Sequence, residues 1–306
     1  MVEREGAVRC KTYHILLIGL TCTLFLSSCD TISSSKIETL FQDDFKNLWP
    51  ELSPDGNYLT FYSEKIGYDH PHLDYCIYCV DLGTSEIHQL TYKDVNSYTW
   101  DVDPCWSPDG RWIYFVRDSY GPGLICRMPY NGTEDDNEVL FSGAEVFALN
   151  SDGSKIVLAL SYTEFYLAVL DLDTFELTPV TEEDLTWYRS LCFGPDDESV
   201  IAVINNDPVF EVKVYPLNGD DPYNFDYDFS DVPDKISLRE DQATYLFSVH
   251  NQLLEIPVEG GESYDLTPNM YGSLTDGSYD SEGDVCFSHL VIQDSTFVST
   301  IYKWSR

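Results

Sequence analysis

Positive charge is what this chain has least of: 17 Lys and Arg stand against 53 Asp and Glu, a formal net charge of −36. Such a surface repels nucleic acid and anionic headgroups, so nucleic-acid binding is excluded and basic partners, cations or a saline habitat are favoured. The acids are scattered along the chain and not blocked in a tail, so a solubilising surface accounts for most of them. Long apolar runs are also missing. The strongest, from Ile15 to Leu26, is about twelve residues, too short to cross a hydrocarbon layer of roughly 30 Å as a helix. Absent too are the Gly-x-Ser-x-Gly of a nucleophile elbow, any zinc spacing of cysteines, and the twelve-residue Gly-containing loop of an EF-hand, although Asp220, Asp221, Asp226, Asp228 and Asp231 crowd one stretch. His70-Pro71-His72, with Asp69 and Asp74, is the one local cluster of metal-ligand types, and an exposed loop with ordinary histidines explains it better. No metal, no cofactor and no catalytic residue is assigned.

What is present begins at the N-terminus. Arg4, Arg9 and Lys11 precede the apolar run, as in a cleavable export signal. The run ends in Leu26-Ser27-Ser28-Cys29, which resembles the bacterial lipobox. The resemblance implies a signal peptide over residues 1–28, lipidation at Cys29 (palmitate chemistry), and a tether over 29–35, giving a membrane anchor without a spanning helix. Asp30 follows the cysteine; in enteric bacteria that residue favours inner-membrane retention, a rule that varies between bacteria, so the leaflet stays open. Six cysteines remain after Cys29, and fifteen pairings are open to them. Cys76 and Cys79 are three apart and so point to opposite faces of one strand, which argues against a local redox pair. Most read as small buried hydrophobes.

A six-fold repeat fills the rest. Pro50-Glu51-Leu52-Ser53-Pro54-Asp55-Gly56 leads into Tyr58-Leu59-Thr60-Phe61, and Pro104-Cys105-Trp106-Ser107-Pro108-Asp109-Gly110 into Trp112-Ile113-Tyr114-Phe115. Weaker copies start at Phe147, Leu191, Ile236 and Ser278. A period of about 40 to 55 residues signals stacked units that cannot bury their apolar faces alone. Each unit reads as four short antiparallel strands, and the Ser-Pro-Asp-Gly turns suit tight reversals because Pro fixes φ and Gly accepts positive φ. The expected fold is all-β: a six-bladed propeller of four-stranded blades over residues 36–306. Blade six is one strand short, with inner strands at 277–279, 284–288 and 298–304, while residues 36–41 have no partner of their own. That segment is expected to complete blade six and remove an exposed edge. Glu51, Cys105, Ala148, Cys192, Ser237 and Ser278 occupy one repeat position.

The repeat resembles that of the TolB-like propellers, whose hallmark is Pro-x-Trp-Ser-Pro-Asp-Gly before an apolar strand. The match is specific in blades one and two and decays in five and six. Periplasmic TolB carries a separate N-terminal α/β domain for which residues 30–35 leave no room, so a TolB role as such is not expected. Loops between blades, and between second and third strands, emerge on one propeller face; here they carry Tyr68, His70, His72, Tyr98, Trp100, Asp101, Tyr120, Trp187, Tyr188 and Tyr271. Aromatics and acids on protruding loops suit recognition. The reading is a monomeric lipoprotein of the cell envelope, facing the periplasm or exterior, that binds an envelope protein or basic peptide. The alternative is a lyase or hydrolase acting on saccharide or peptide in the central channel, as some similar propellers do with histidine ligands. His88, expected in a strand, and His250 and His289, expected near loops, would serve it. Histidines and acids converging in the channel would mark the enzyme; apolar or unpaired residues there would mark binding.

Overall fold

A computed structural model describes residues 37–64, 75–92, 99–119, 121–160, 166–182, 187–206, 209–239, 241–268, 270, 273–293 and 296–305. They lie in the compact unit Ser35–Arg306 and form six four-stranded antiparallel sheets. Strand β1 (Ile37–Asp43) comes first and belongs to the last sheet. Blade one is β2 (Asn47–Leu52), β3 (Tyr58–Ser63), β4 (Cys76–Asp81) and β5 (Glu86–Gln89). Blade two is β6 (Thr99–Trp106), β7 (Trp112–Ser119), β8 (Gly121–Pro129) and β9 (Glu138–Ser142). Blade three is β10 (Ala144–Leu149), β11 (Lys155–Leu160), β12 (Tyr166–Asp171) and β13 (Leu177–Pro179). Blade four is β14 (Tyr188–Phe193), β15 (Ser199–Asn206), β16 (Val209–Pro216) and β17 (Tyr223–Asn224). Blade five is β18 (Pro233–Leu238), β19 (Thr244–Val249), β20 (Gln252–Pro257) and β21 (Tyr264–Asp265). Blade six is β22 (Ser273–Tyr279), β23 (Val285–Gln293), β24 (Thr296–Trp304) and, outermost, β1.

Closure by the first strand is as expected: Ile37 pairs with Trp304, Phe41 with Ile301 and Asp43 with Ser299. The hairpins of blade six run further than the sequence suggested. Asp276 and Gly277 interrupt the alternating pattern, yet β22 continues through them by a bulge between Thr275 and Ser278.

The turns explain why the repeat is written as it is. The Ser53 hydroxyl donates to Asp55 Oδ1 (2.6 Å) and accepts from the Tyr58 amide (2.9 Å), and Gly56 sits at φ +69°. Ser107, Asp109, Trp112 and Gly110 repeat this in blade two. In blades four and five the left-handed positions fall to Asp197 (φ 56°) and Gln242 (φ 57°), which strains a side-chain-bearing residue. Both give something back: Asp197 accepts from the Ser151 amide of blade three (3.1 Å), and Gln242 Oε1 accepts from the Asp196 amide of blade four. A second motif closes the outer edges. Thr91, Thr181 and Thr267 each accept, through Oγ1, the amide of Ile77, Leu167 or Leu253 on the third strand of their blade.

The core is shared between blades. Strand side chains alternate faces, so each sheet contributes to two apolar clusters: for example Phe61 and Tyr78 face Cys286 and Ile301 of blade six, while Ile77 and Cys79 face Ile113 and Phe115 of blade two. Cys76 and Cys79 fall into different clusters, as three-residue spacing requires. All six described cysteines are free thiols, five of them buried.

Candidate functional site

Every inner strand carries a one-residue bulge, at Leu48/Glu51, Val102/Cys105, Ala144/Val146, Tyr188/Ser190, Pro233/Lys235 and Thr275/Ser278. A bulge re-aims the following side chains, and here two rings result. One is the repeat position recognised in the sequence: Glu51, Cys105, Ala148, Cys192, Ser237 and Ser278, all lining a cavity of about 340 Å³. Two residues upstream, on the same face by strand period, stand Trp49, Asp103, Val146, Ser190 and Lys235, which also line it; Asp276 holds the equivalent place in blade six and is not among the lining residues. Three of these, Trp49 (φ 52°), Asp103 (φ 55°) and Asp276 (φ 45°), are non-glycine residues in the left-handed region, a strain that gathers at sites with a use for it. The inner turns add Pro54, Pro108, Ser151, Gln242 and Ser281 to the lining, and Pro108, Ser151 and Ser281 are exposed. Phe147, Leu191 and Ile236 supply apolar wall.

Charge in the cavity is unevenly matched. Glu51 is anchored: it accepts the Trp106 amide (2.9 Å), and the Trp106 indole donates to its carbonyl across the blade boundary (3.3 Å). Burial raises its carboxyl above the usual range, opposed by Lys235, the Trp106 amide and the Cys105 thiol. Burial pushes Asp103 up to about 7, against the pull of Lys235. Asp276, 4% exposed, is pushed up to about 8, again mainly by burial; Lys235 and Arg189 oppose, Asp234 and Asp103 add to the rise. Neither Asp103 nor Asp276 makes a side-chain hydrogen bond or ion pair among the described residues, since only desolvation and through-space charge act on them. The Lys235 ammonium stands 5.2 Å over the Trp49 ring, a cation–π contact, and has no carboxylate within ion-pair distance among the described residues. Burial pushes the Cys192 thiol up to about 12 and Cys105 well above its usual value, so neither is a poised nucleophile.

Of the residues proposed from sequence, Trp100, Asp101, Trp187 and Tyr188 are described. Tyr68, His70, His72, Tyr98, Tyr120 and Tyr271 are outside the described residues. Trp187, just before β14, is 64% exposed. Trp100 lies on β6 opposite Asp118. Asp101 is fully buried and holds Arg117 through two hydrogen bonds (2.8 and 3.0 Å), and Tyr188 is packed in the core between blades three and four. These two are inward-facing supports, because β6 begins at Thr99 and β14 at Tyr188, where loops were expected.

The three described histidines do not converge. His88 is on β5 beside Glu86 (3.8 Å), His250 in the β19–β20 turn beside Asp231 (3.9 Å), and none of the described histidines lines the cavity. His289 was expected near a loop and is instead central in β23, because that strand runs on to Gln293; its ring lies 6.1 Å from that of Tyr302. Among the described residues no group of three or more His, Cys, Asp or Glu is placed to hold a metal. Sequence reasoning missed Trp49, Asp103, Lys235 and Asp276. They lie far apart in the chain, and the one available signal was their shared place two residues before the recognised repeat position.

These features define a six-bladed propeller of TolB-like fold with a charged, partly apolar central cavity. No known family profile matches the chain. Among solved structures it is similar to putative TolB from Agrobacterium tumefaciens, with TM-score 0.61 and 15% identity over 86% of this chain and 96% of that one. TolB from Acinetobacter baumannii aligns at TM-score 0.56 and 14% identity, covering 83% of this chain and 63% of that protein. This chain thus spans less than two thirds of the Acinetobacter protein. An oligogalacturonate lyase from Vibrio parahaemolyticus aligns at TM-score 0.54 and 12% identity, over 87% and 92% of the two chains. At these identities the likeness is one of fold. No helix among the described residues is long and apolar enough to cross a membrane.

Proposed function

We propose that this protein is a lipid-anchored binding platform of the bacterial cell envelope, and that its central cavity receives part of a partner protein or peptide. The observation that carries the reading is the cavity of about 340 Å³, lined by all six blades, with apolar walls and one carboxylate, Asp103, that no described group satisfies. Concave sites with a few convergent polar groups on an apolar wall are where ligands bind. A net charge of −36 steers basic partners toward it. Trp187, exposed just before β14, offers a second point of contact. The lyase likeness keeps a saccharide reading in view, but among the described residues the cavity lining holds acids and no histidine, and a carboxylate left unpaired favours binding over catalysis.

The test is envelope crosslinking followed by mass spectrometry, with wild type beside Cys29→Ser. The wild type should take up labelled palmitate and recover one recurrent partner. The Cys29→Ser variant should lose the label and leave the membrane fraction. No recurrent partner, together with turnover of an oligosaccharide, would replace this reading with the enzymatic one.

A further inference from the structure

We infer that Asn218 is a site of slow self-modification, at which the Gly219 amide nitrogen closes on the Asn218 side chain and converts it to aspartate and isoaspartate. What the cavity binds does not enter into it. The chain has two Asn-Gly pairs, Asn131-Gly132 and Asn218-Gly219, and the fold treats them differently. Ring closure needs a glycine nitrogen free to lose its proton, room beside it, and a side-chain carbonyl polarised for attack. Asn218 and Gly219 lie exposed in the turn between β16 and β17. The Gly219 amide has no hydrogen-bond acceptor among the described residues. A Cβ at Gly219 would meet nothing within 4 Å, and φ there is +90°. Asn218 Oδ1 accepts the Asp220 amide (3.0 Å), which puts a donor where negative charge gathers as the nitrogen attacks. Asn218 Nδ2 donates to Asp220 Oδ2 (2.8 Å), so both ends of the side chain are held. The Asn131 pair lacks this arrangement. Its Gly132 amide is engaged, donating to the Pro129 carbonyl (2.9 Å), and a Cβ there would meet Pro129 O at 3.1 Å and Asp136 Oδ2 at 3.2 Å. The Asn131 side chain makes no hydrogen bond among the described residues.

The step balances with water alone. The bond formed joins Gly219 N to Asn218 Cγ, and the bond broken is that from Asn218 Cγ to Nδ2. Solvent base takes the Gly219 amide proton, and the side-chain nitrogen takes one up and departs as ammonia, leaving a cyclic imide. Water then opens the imide at either carbonyl. Attack at one gives aspartate; attack at the other gives isoaspartate, with the main chain routed through the former side chain. Either product adds a carboxylate beside Asp220 and Asp221. Isoaspartate also lengthens the main chain just before β17, an outermost strand held by two register pairs, Lys213 with Asn224 and Val214 with Tyr223. The change therefore falls on the edge of blade four and leaves the residues lining the cavity untouched.

The experiment is incubation of the full chain at mildly alkaline pH, with peptide mass spectrometry of the Asn131 and Asn218 segments over time. Fragmentation that separates aspartate from isoaspartate reads both products. In the folded chain Asn218 should convert about tenfold or more faster than Asn131. In chain unfolded by urea the two rates should converge, because the difference resides in the fold and not in the dipeptide. Asn218→Gln should keep the wild-type melting temperature and release far less ammonia than wild type. Equal rates at the two asparagines of the folded chain, faster conversion at Asn131, or a difference that persists in urea would overturn the inference. Ammonia release undiminished in a folded Asn218→Gln chain would overturn it as well.

Discussion

Asp103 and Asp276 make the most specific statement at the scale of single residues. Burial lifts their carboxyls from an ordinary 3.8 to about 7 and about 8, so the folded protein keeps protons that the unfolded chain has released. A raised carboxyl contributes stability below its unfolded pKa and loses it as pH climbs through the folded one. Between about pH 4 and pH 8 these two acids therefore make stability fall. Melting temperature followed from pH 5 to pH 8.5 should decline in the wild type and decline less in an Asp103→Asn, Asp276→Asn double variant; parallel curves would contradict the assignment. Neither acid was legible as a site residue beforehand, because nothing in the local sequence around Val102-Asp103-Pro104 or Thr275-Asp276-Gly277 says that a bulge turns it inward. Lys235 was hidden for the same reason. Cys105 and Cys192, by contrast, were placed correctly as equivalent positions, since each stands two residues before its inner turn, at Ser107 and Gly194.

Strands and turns were the most readable elements, and the reason is chemical. Ser53-Pro54-Asp55-Gly56 encodes its own hydrogen bonds, and the Thr91 and Thr267 ends of the fourth strands encode theirs. Where blades four and five lack the turn glycine, Asp197 and Gln242 hold the same geometry through bonds to a neighbouring blade, information that no single repeat contains. Gly123 shows a second kind of hidden constraint. A Cβ placed there would lie 2.4 Å from the Ala144 carbonyl oxygen, where β8 passes the start of β10. Gly123→Ala should cost about 1–3 kcal/mol of stability through forced backbone displacement, read as a lower denaturant midpoint with an unchanged slope. An unchanged midpoint would mean that the two strands are further apart than described.

Over the whole molecule, closure and charge are the organising facts. The ring is completed by β1, and Phe41 of that strand stacks on Phe61 of blade one at 5.2 Å between centroids. Deleting residues 37–43 should therefore uncover the edge of β24 and part of the cluster between blades six and one. The expected result is a lower melting temperature and association at rising protein concentration; an equally stable monomer would show that closure does not depend on this strand. The acidic surface acts on encounter more than on fold, so partner capture should weaken as salt screens it. The central claim is that the cavity mouth at the inner turns is where a partner sits. Photo-crosslinking in intact cells tests it most directly, with the reactive residue placed at Pro108 or Ser151 on the rim and, as control, at exposed Tyr264 on the outermost strand β21. The account predicts one recurrent adduct from both rim positions and none from Tyr264. Adducts from Tyr264 alone, or equal labelling from all three, would contradict it.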